Sequence, residues 1–131
     1  MVKETQSTPL RILLVEDHPD TLNAMAKLLR FSGYQVSTAG SLSEAVALAD
    51  GGKPDLLVCD LTLPDGQGAD VMREVCHRRQ IPGIAVTGHC DGPELHAAEQ
   101  AGFALRLIKP VELTVLLAAI ENVTGRDPSA Q

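Results

Sequence analysis

Positive charge is scarce in this chain of 131 residues: 11 lysines and arginines stand against 17 aspartates and glutamates, for a formal net charge of -6. Nucleic-acid surfaces announce themselves through clustered Lys and Arg, so direct nucleic-acid binding is not expected. Cysteine is sparse too. Cys59, Cys76 and Cys90 are odd in number and show no C-x-x-C spacing, which argues against a disulfide framework or a zinc site and for reduced thiols. No stretch approaches the roughly 18 continuous apolar residues of a membrane span, and the polar opening MVKETQSTP lacks the apolar core of a signal peptide. The expectation is a cytoplasmic chain that makes no membrane contact. Neither G-x-G-x-x-G nor G-x-x-x-x-G-K-[ST] follows the first apolar run, so the phosphate-cradling loops of nucleotide-binding folds are missing. Internal repeats and low-complexity runs are missing as well.

What is present is an alternation. The chain is 44% hydrophobic, enough for one sizeable core and too short for two ordinary domains. RILLVE (11–16) is a short apolar run of the kind that forms a strand covered on both faces. Leu22, Met25, Ala26 and Leu29 then recur at helical spacing, with Pro19 in the first turn and Gly33 as the stop. YQVSTA follows as a strand. Ser41 and Glu44 form a capping-box pair ahead of Leu42, Ala45, Val46 and Ala49, and Gly51-Gly52 ends that helix. DLLVCD, GIAVTG and ALRLIK supply three more strands. Between them lie a helix carrying Val71, Met72 and Val75 and a weakly patterned one in DGPELHAAEQAG; Leu113, Leu116, Leu117 and Ile120 restore the helical period at the end. Segments 1–9 and 125–131 have linker composition, as a leader and a C-terminal tail, leaving 10–124 as the domain.

Five strand-helix units in strict alternation imply an α/β fold: a five-stranded parallel sheet, doubly wound, with helices on both faces. Ligands of such sheets bind outside the carboxyl ends of the strands, where the strand order reverses. The residues that close the strands are Glu16 and Asp17, Asp60, Thr87 and Lys109. If the strand order is 2-1-3-4-5, the first and third strands are neighbours at the switch point, and Glu16, Asp17 and Asp60 share one cleft. Three close carboxylates repel by several kcal/mol at an effective dielectric of about 20. A hard divalent cation relieves this; magnesium suits best, because it takes one or two carboxylates and bridges to phosphate oxygens. Lys109 adds an ammonium for a bound anion. In such a phosphoryl-transfer site Asp60 is the nucleophile and Thr87 donates to the installed phosphoryl group. Cys59 points to the opposite face from Asp60 by strand alternation, as a small apolar core residue.

Through LLVEDHP, DLLVCDLTLPDGQG, AVTGH and LIKPV, the chain resembles the receiver domain of two-component response regulators over about residues 10 to 124. The resemblance implies a flavodoxin-like (βα)5 receiver fold. It also implies Asp60 as phosphoacceptor, Asp17 as direct metal ligand, Glu16 as a ligand through water, and the backbone carbonyl of Thr62 as a further ligand. The metal is then Mg2+, with Mn2+ as its substitute. Thr87 and Lys109 match the switch hydroxyl and the phosphate-contacting lysine, and the Lys109-Pro110 peptide is implied to be cis. One position departs from the pattern: members commonly carry Tyr or Phe three residues before the lysine, where this chain has Arg106. The usual coupling of the threonine to an aromatic ring therefore has no ring here, and Arg106 is read either as a contact for an acidic partner or as a solvated strand-end arginine. His89, two residues after Thr87, is at a position that tunes the lifetime of the acyl phosphate in the family. His18, His77 and His96 have no ligand-like spacing and are read as exposed.

The function implied is that of a phosphorylatable switch. It takes a phosphoryl group from a phosphohistidine of a sensor histidine kinase or a histidine phosphotransfer protein. Its output goes to a protein partner through the face built from the fourth helix, fifth strand and fifth helix. It catalyses its own phosphorylation and dephosphorylation. Both a stand-alone regulator and the receiver of a hybrid sensor kinase fit the sequence. The alternative is a phosphorylation-independent binding module on the same fold. A phosphohydrolase of free substrates is disfavoured, because Thr62 stands where such enzymes want a second acid.

Overall fold

The computed structural model describes residues 9–88 and 92–125; the expected leader and tail lie almost wholly outside them. Strands β1 (Arg11–Val15), β2 (Gln35–Ala39), β3 (Leu56–Asp60), β4 (Gly83–Thr87) and β5 (Leu105–Ile108) alternate with helices. The helices are α1 (Pro19–Phe31), α2 (Leu42–Gly52), α3 (Gly68–Val71, continuing through Met72–His77), α4 (Pro93–Ala101) and α5 (Leu113–Thr124). The strands form one parallel sheet in the order β2-β1-β3-β4-β5. This is the doubly wound (βα)5 arrangement expected from the alternation.

The central strands β3 and β4 are buried at every residue, which explains why they read as continuous apolar runs rather than alternating ones. Period two assigns their side chains to two cores. Leu57 and Cys59 pack with α2 and α3 residues such as Ala45, Ala49 and Val75. Leu56 and Val58 pack on the other face with Leu29 of α1 and Leu116 and Ile120 of α5. Cys59 is fully buried on the face opposite that of Leu56, Val58 and Asp60, as strand alternation predicts. Burial, then the neighbouring Asp60, push its thiol pKa well above the ordinary value. Cys76, in the same core, is pushed up by burial to about 12.

The element ends have separate local causes. Ser41 Oγ accepts from the Glu44 N–H at 3.2 Å and starts α2; the Glu44 carboxylate reaches back past the cap residue to the Gly40 N–H at 2.6 Å. The Gly51-Gly52 pair does not stop α2. The helix runs through both, and the chain turns at Lys53, which takes the left-handed conformation at φ 47°. A glycine pair lowers helix propensity, but only the residue after the helix needs positive φ. In α3 the regular turns give way at Met72–His77 to a π-helical stretch. Its buried residues, Met72, Val75 and Cys76, have a spacing that an ordinary helix also satisfies, so periodicity did not reveal it.

Candidate functional site

The register of the sheet brings the acids together. Val15 of β1 lies opposite Cys59 of β3, so the residues that follow them, Glu16 and Asp60, leave the sheet side by side. Both are buried, at 4% and 9% exposure, whereas Asp17 is exposed. Carboxylate oxygens of Glu16, Asp17 and Asp60 all lie within 4.8 Å of one another. That is a donor set of hard oxygens suited to a magnesium-class cation, and among the described residues Asp17 has no hydrogen-bonding partner for its carboxylate. The cluster expected from the strand ends is therefore formed.

Lys109 reaches the same point from the end of β5. Its Nζ donates to Glu16 Oε1 at 2.8 Å and to Asp60 Oδ2 at 2.9 Å. Burial works against this ammonium, but the hydrogen bonds and charges of Glu16 and Asp60 outweigh it, and its pKa is raised above the ordinary lysine value. The charge crowding inferred from the sequence is thus partly neutralised within the chain: one cation already serves the two buried acids. The Lys109 backbone N–H donates to the Thr87 carbonyl at 2.7 Å, which ties the ends of β4 and β5, and the Lys109-Pro110 peptide is cis. Thr87 is buried at 5% exposure at the end of β4.

The segment after Asp60 folds back as a small antiparallel ribbon, Thr62–Leu63 against Gly66–Gln67. The Thr62 N–H points to Asp60 Oδ1 at 3.3 Å, and the Gly68 N–H closes on the Leu61 carbonyl at 3.0 Å. A Cβ on Gly68 would stand 2.7 Å from the Asp60 carbonyl oxygen, so the close approach of α3 to the acidic site depends on a glycine there. Sequence reading passed over Asp65. Its exposed carboxylate accepts from the N–H groups of Leu42 at 2.8 Å and Ser43 at 3.1 Å, and these hold its pKa below the usual carboxylate range. The signal lies in two short stretches 23 residues apart, and no local pattern links them.

Arg106 has an acidic contact within the chain. Its guanidinium pairs with Glu99 of α4 at 3.3 Å, both side chains being exposed. His77 is engaged too, its Nε2 standing 2.8 Å from the Ala101 carbonyl oxygen at the end of α4. His89 and Cys90 lie outside the described residues. No helix among the described residues is long and apolar enough to cross a membrane.

Comparison with known proteins places the chain in a family. Residues 12–121 match the model of the response regulator receiver domain. The chain is 34% identical over 121 residues to the transcriptional regulatory protein PdtaR of Mycobacterium tuberculosis, an alignment that covers 92% of this chain and 59% of that protein. It therefore spans less than two thirds of that relative's length. Among solved structures, the non-phosphorylated HemR receiver domain of Leptospira biflexa matches with a TM-score of 0.79 at 32% identity, covering 91% of this chain and 96% of that one. The receiver domain of the sensor histidine kinase PA1611 of Pseudomonas aeruginosa, solved with a magnesium ion coordinated in its active site cleft, matches with a TM-score of 0.81 at 29% identity. That match covers 91% of this chain and all of the other (100%).

Proposed function

The chain belongs to the response regulator receiver domain family, and from that premise we propose that it accepts a phosphoryl group on Asp60 from a phosphohistidine and switches protein contacts in response. The observation that supports this reading best is the meeting of Asp60, Glu16 and Asp17 with the Lys109 ammonium at the carboxyl edge of the sheet. We assign residues 10–124 to the receiver unit, working in the cytoplasm.

In the transfer, an Asp60 carboxylate oxygen attacks phosphorus. The new O–P bond forms as the N–P bond of phosphohistidine breaks, and the electron pair leaves on the imidazole nitrogen. Asp17, Asp60 and the Thr62 carbonyl, with Glu16 through water, are the groups that would hold Mg2+ or Mn2+. The metal, when bound, supplies positive charge to the oxygens in transfer. Lys109 already stands against Asp60, and its ammonium compensates charge on the phosphoryl oxygens after transfer. The Thr87 hydroxyl donates to the same oxygens, and His89 tunes how long the acyl phosphate lasts. On this reading the transfer requires the divalent ion, because one lysine cannot balance three carboxylates and an incoming phosphoryl group.

A sensor histidine kinase or a histidine phosphotransfer protein is the donor, and a downstream protein reads the surface of α4, β5 and α5. The Arg106–Glu99 pair sits on that surface and stands where members of the family commonly carry an aromatic ring. The test is incubation with acetyl phosphate and magnesium, followed by intact mass. A single phosphoryl adduct that requires magnesium and is absent from Asp60→Asn is the expected result. An unmodified wild type, even with a phosphohistidine donor, would overturn the reading in favour of a phosphorylation-independent binding module.

A further inference from the structure

The ribbon that follows Asp60 is anchored at both ends. At its base the Thr62 N–H points to Asp60 Oδ1, and Thr62 pairs with Gln67 across the ribbon. At its tip the Asp65 carboxylate takes the Leu42 and Ser43 N–H groups, one on each oxygen. The tip is also seated closely on α2, since a Cβ on Gly66 would stand 2.8 Å from Leu42 Cδ2. Two unsatisfied N–H groups at a helix N-terminus are suited to a carboxylate that brings both charge and acceptors. Here that carboxylate comes from a distant segment, so the contact fixes the ribbon in space as much as it caps the helix.

We propose that Asp65 is a positioning residue for the reaction at Asp60: by pinning the ribbon tip to α2 it holds the Thr62 carbonyl where the metal ion needs it. The inference rests on the phosphoacceptor reading given above. Partners that orient metal ligands from outside the ligand set carry much of a site's affinity. Asp65 acts through Leu63 and Pro64, the two residues that separate it from Thr62, with no contact to the reacting atoms. Its loss leaves the ligands present but lets the Thr62 carbonyl wander.

The test is the magnesium dissociation constant of the unphosphorylated protein by titration calorimetry, together with the magnesium dependence of acetyl phosphate adduct formation read by intact mass, for wild type, Asp65→Ala, Asp65→Asn and Ser41→Ala. Asp65→Ala is expected to raise the magnesium dissociation constant and the magnesium concentration at half-maximal rate by about tenfold, the low end of what such outer partners cost, with the rate at saturating magnesium preserved. Asp65→Asn keeps one acceptor oxygen and falls between; it also carries the test if the alanine variant does not fold. Ser41→Ala removes the local cap of the same helix, where Ser41 holds the Glu44 N–H, and leaves the magnesium dependence unchanged. A magnesium dependence in both Asp65 variants equal to wild type, or a Ser41→Ala shift as large as theirs, overturns the role of Asp65. If the wild type itself forms no adduct with acetyl phosphate or with a phosphohistidine donor, the phosphoacceptor reading fails first and takes this inference with it.

Discussion

Lys109 changes how the acidic cluster should respond to mutation. Glu16 and Asp60 are buried and share its ammonium, so removing the cation leaves two buried carboxylates without a countercharge. Lys109→Met should therefore lower metal-free stability by about 1–3 kcal/mol. That is below the roughly 3–5 kcal/mol of a fully buried broken pair, because the lysine is partly exposed. Urea unfolding in chelator measures it. Because the folded pKa of Lys109 is raised, its contribution is complete below the unfolded value of about 10.4 and is lost as pH rises through the higher folded value. As pH rises from about 10.4 through the folded value, wild type should thus lose stability more steeply than Lys109→Met. The relief of crowding that three bare carboxylates suggest belongs to Asp17, the exposed acid, alone: Asp17→Asn should gain up to about 1 kcal/mol without metal, while Asp60→Asn also gives up the lysine.

At the scale of elements, the Arg106–Glu99 contact joins β5 to α4 across a surface that the sequence alone left open. Both side chains are exposed, 42% and 63%, so the pair is screened and contributes about 0.2–1 kcal/mol. A double-mutant cycle with Arg106→Ala and Glu99→Ala should return a coupling in that range, and the coupling should shrink in high salt. A larger, salt-insensitive coupling would mean that the pair is part of a more buried network. The caps show how far element ends can be read. Ser41 and Glu44 lie three residues apart and were legible as a start signal. The end of α2 was misplaced because Gly51-Gly52 looks like a stop, while the positive φ falls on Lys53. The π-helical stretch of α3 escaped notice because its buried residues satisfy either period.

For the molecule as a whole, the two cores on either face of the sheet make access to the interior a global event. Cys59 and Cys76 are both buried and both have raised thiol pKa values. A thiolate-specific reagent at neutral pH should leave both unmodified in the native state, and labelling them should require unfolding of the whole domain. Peptide mass spectrometry after a brief alkylation pulse across a urea series checks this, and the two sites should be labelled with the same midpoint. Separate midpoints would show that the α3 side of the core opens by itself.

The sequence by itself determined the alternation of five strands and five helices, the burial of the central strands and the residue types at the strand ends. Each of these is written in local period, in turn chemistry, or in an unlikely acid at the end of an apolar run. It could not decide which charges neutralise which. Lys109 lies 49 residues from Asp60 and 93 from Glu16, and Asp65 lies 22 and 23 residues from the helix it caps. Those pairings depend on the register and order of the parallel strands, and parallel strands are joined by crossovers that separate spatial neighbours widely along the chain. A single sequence carries the members of each pair, and only the folded sheet brings them within hydrogen-bonding distance.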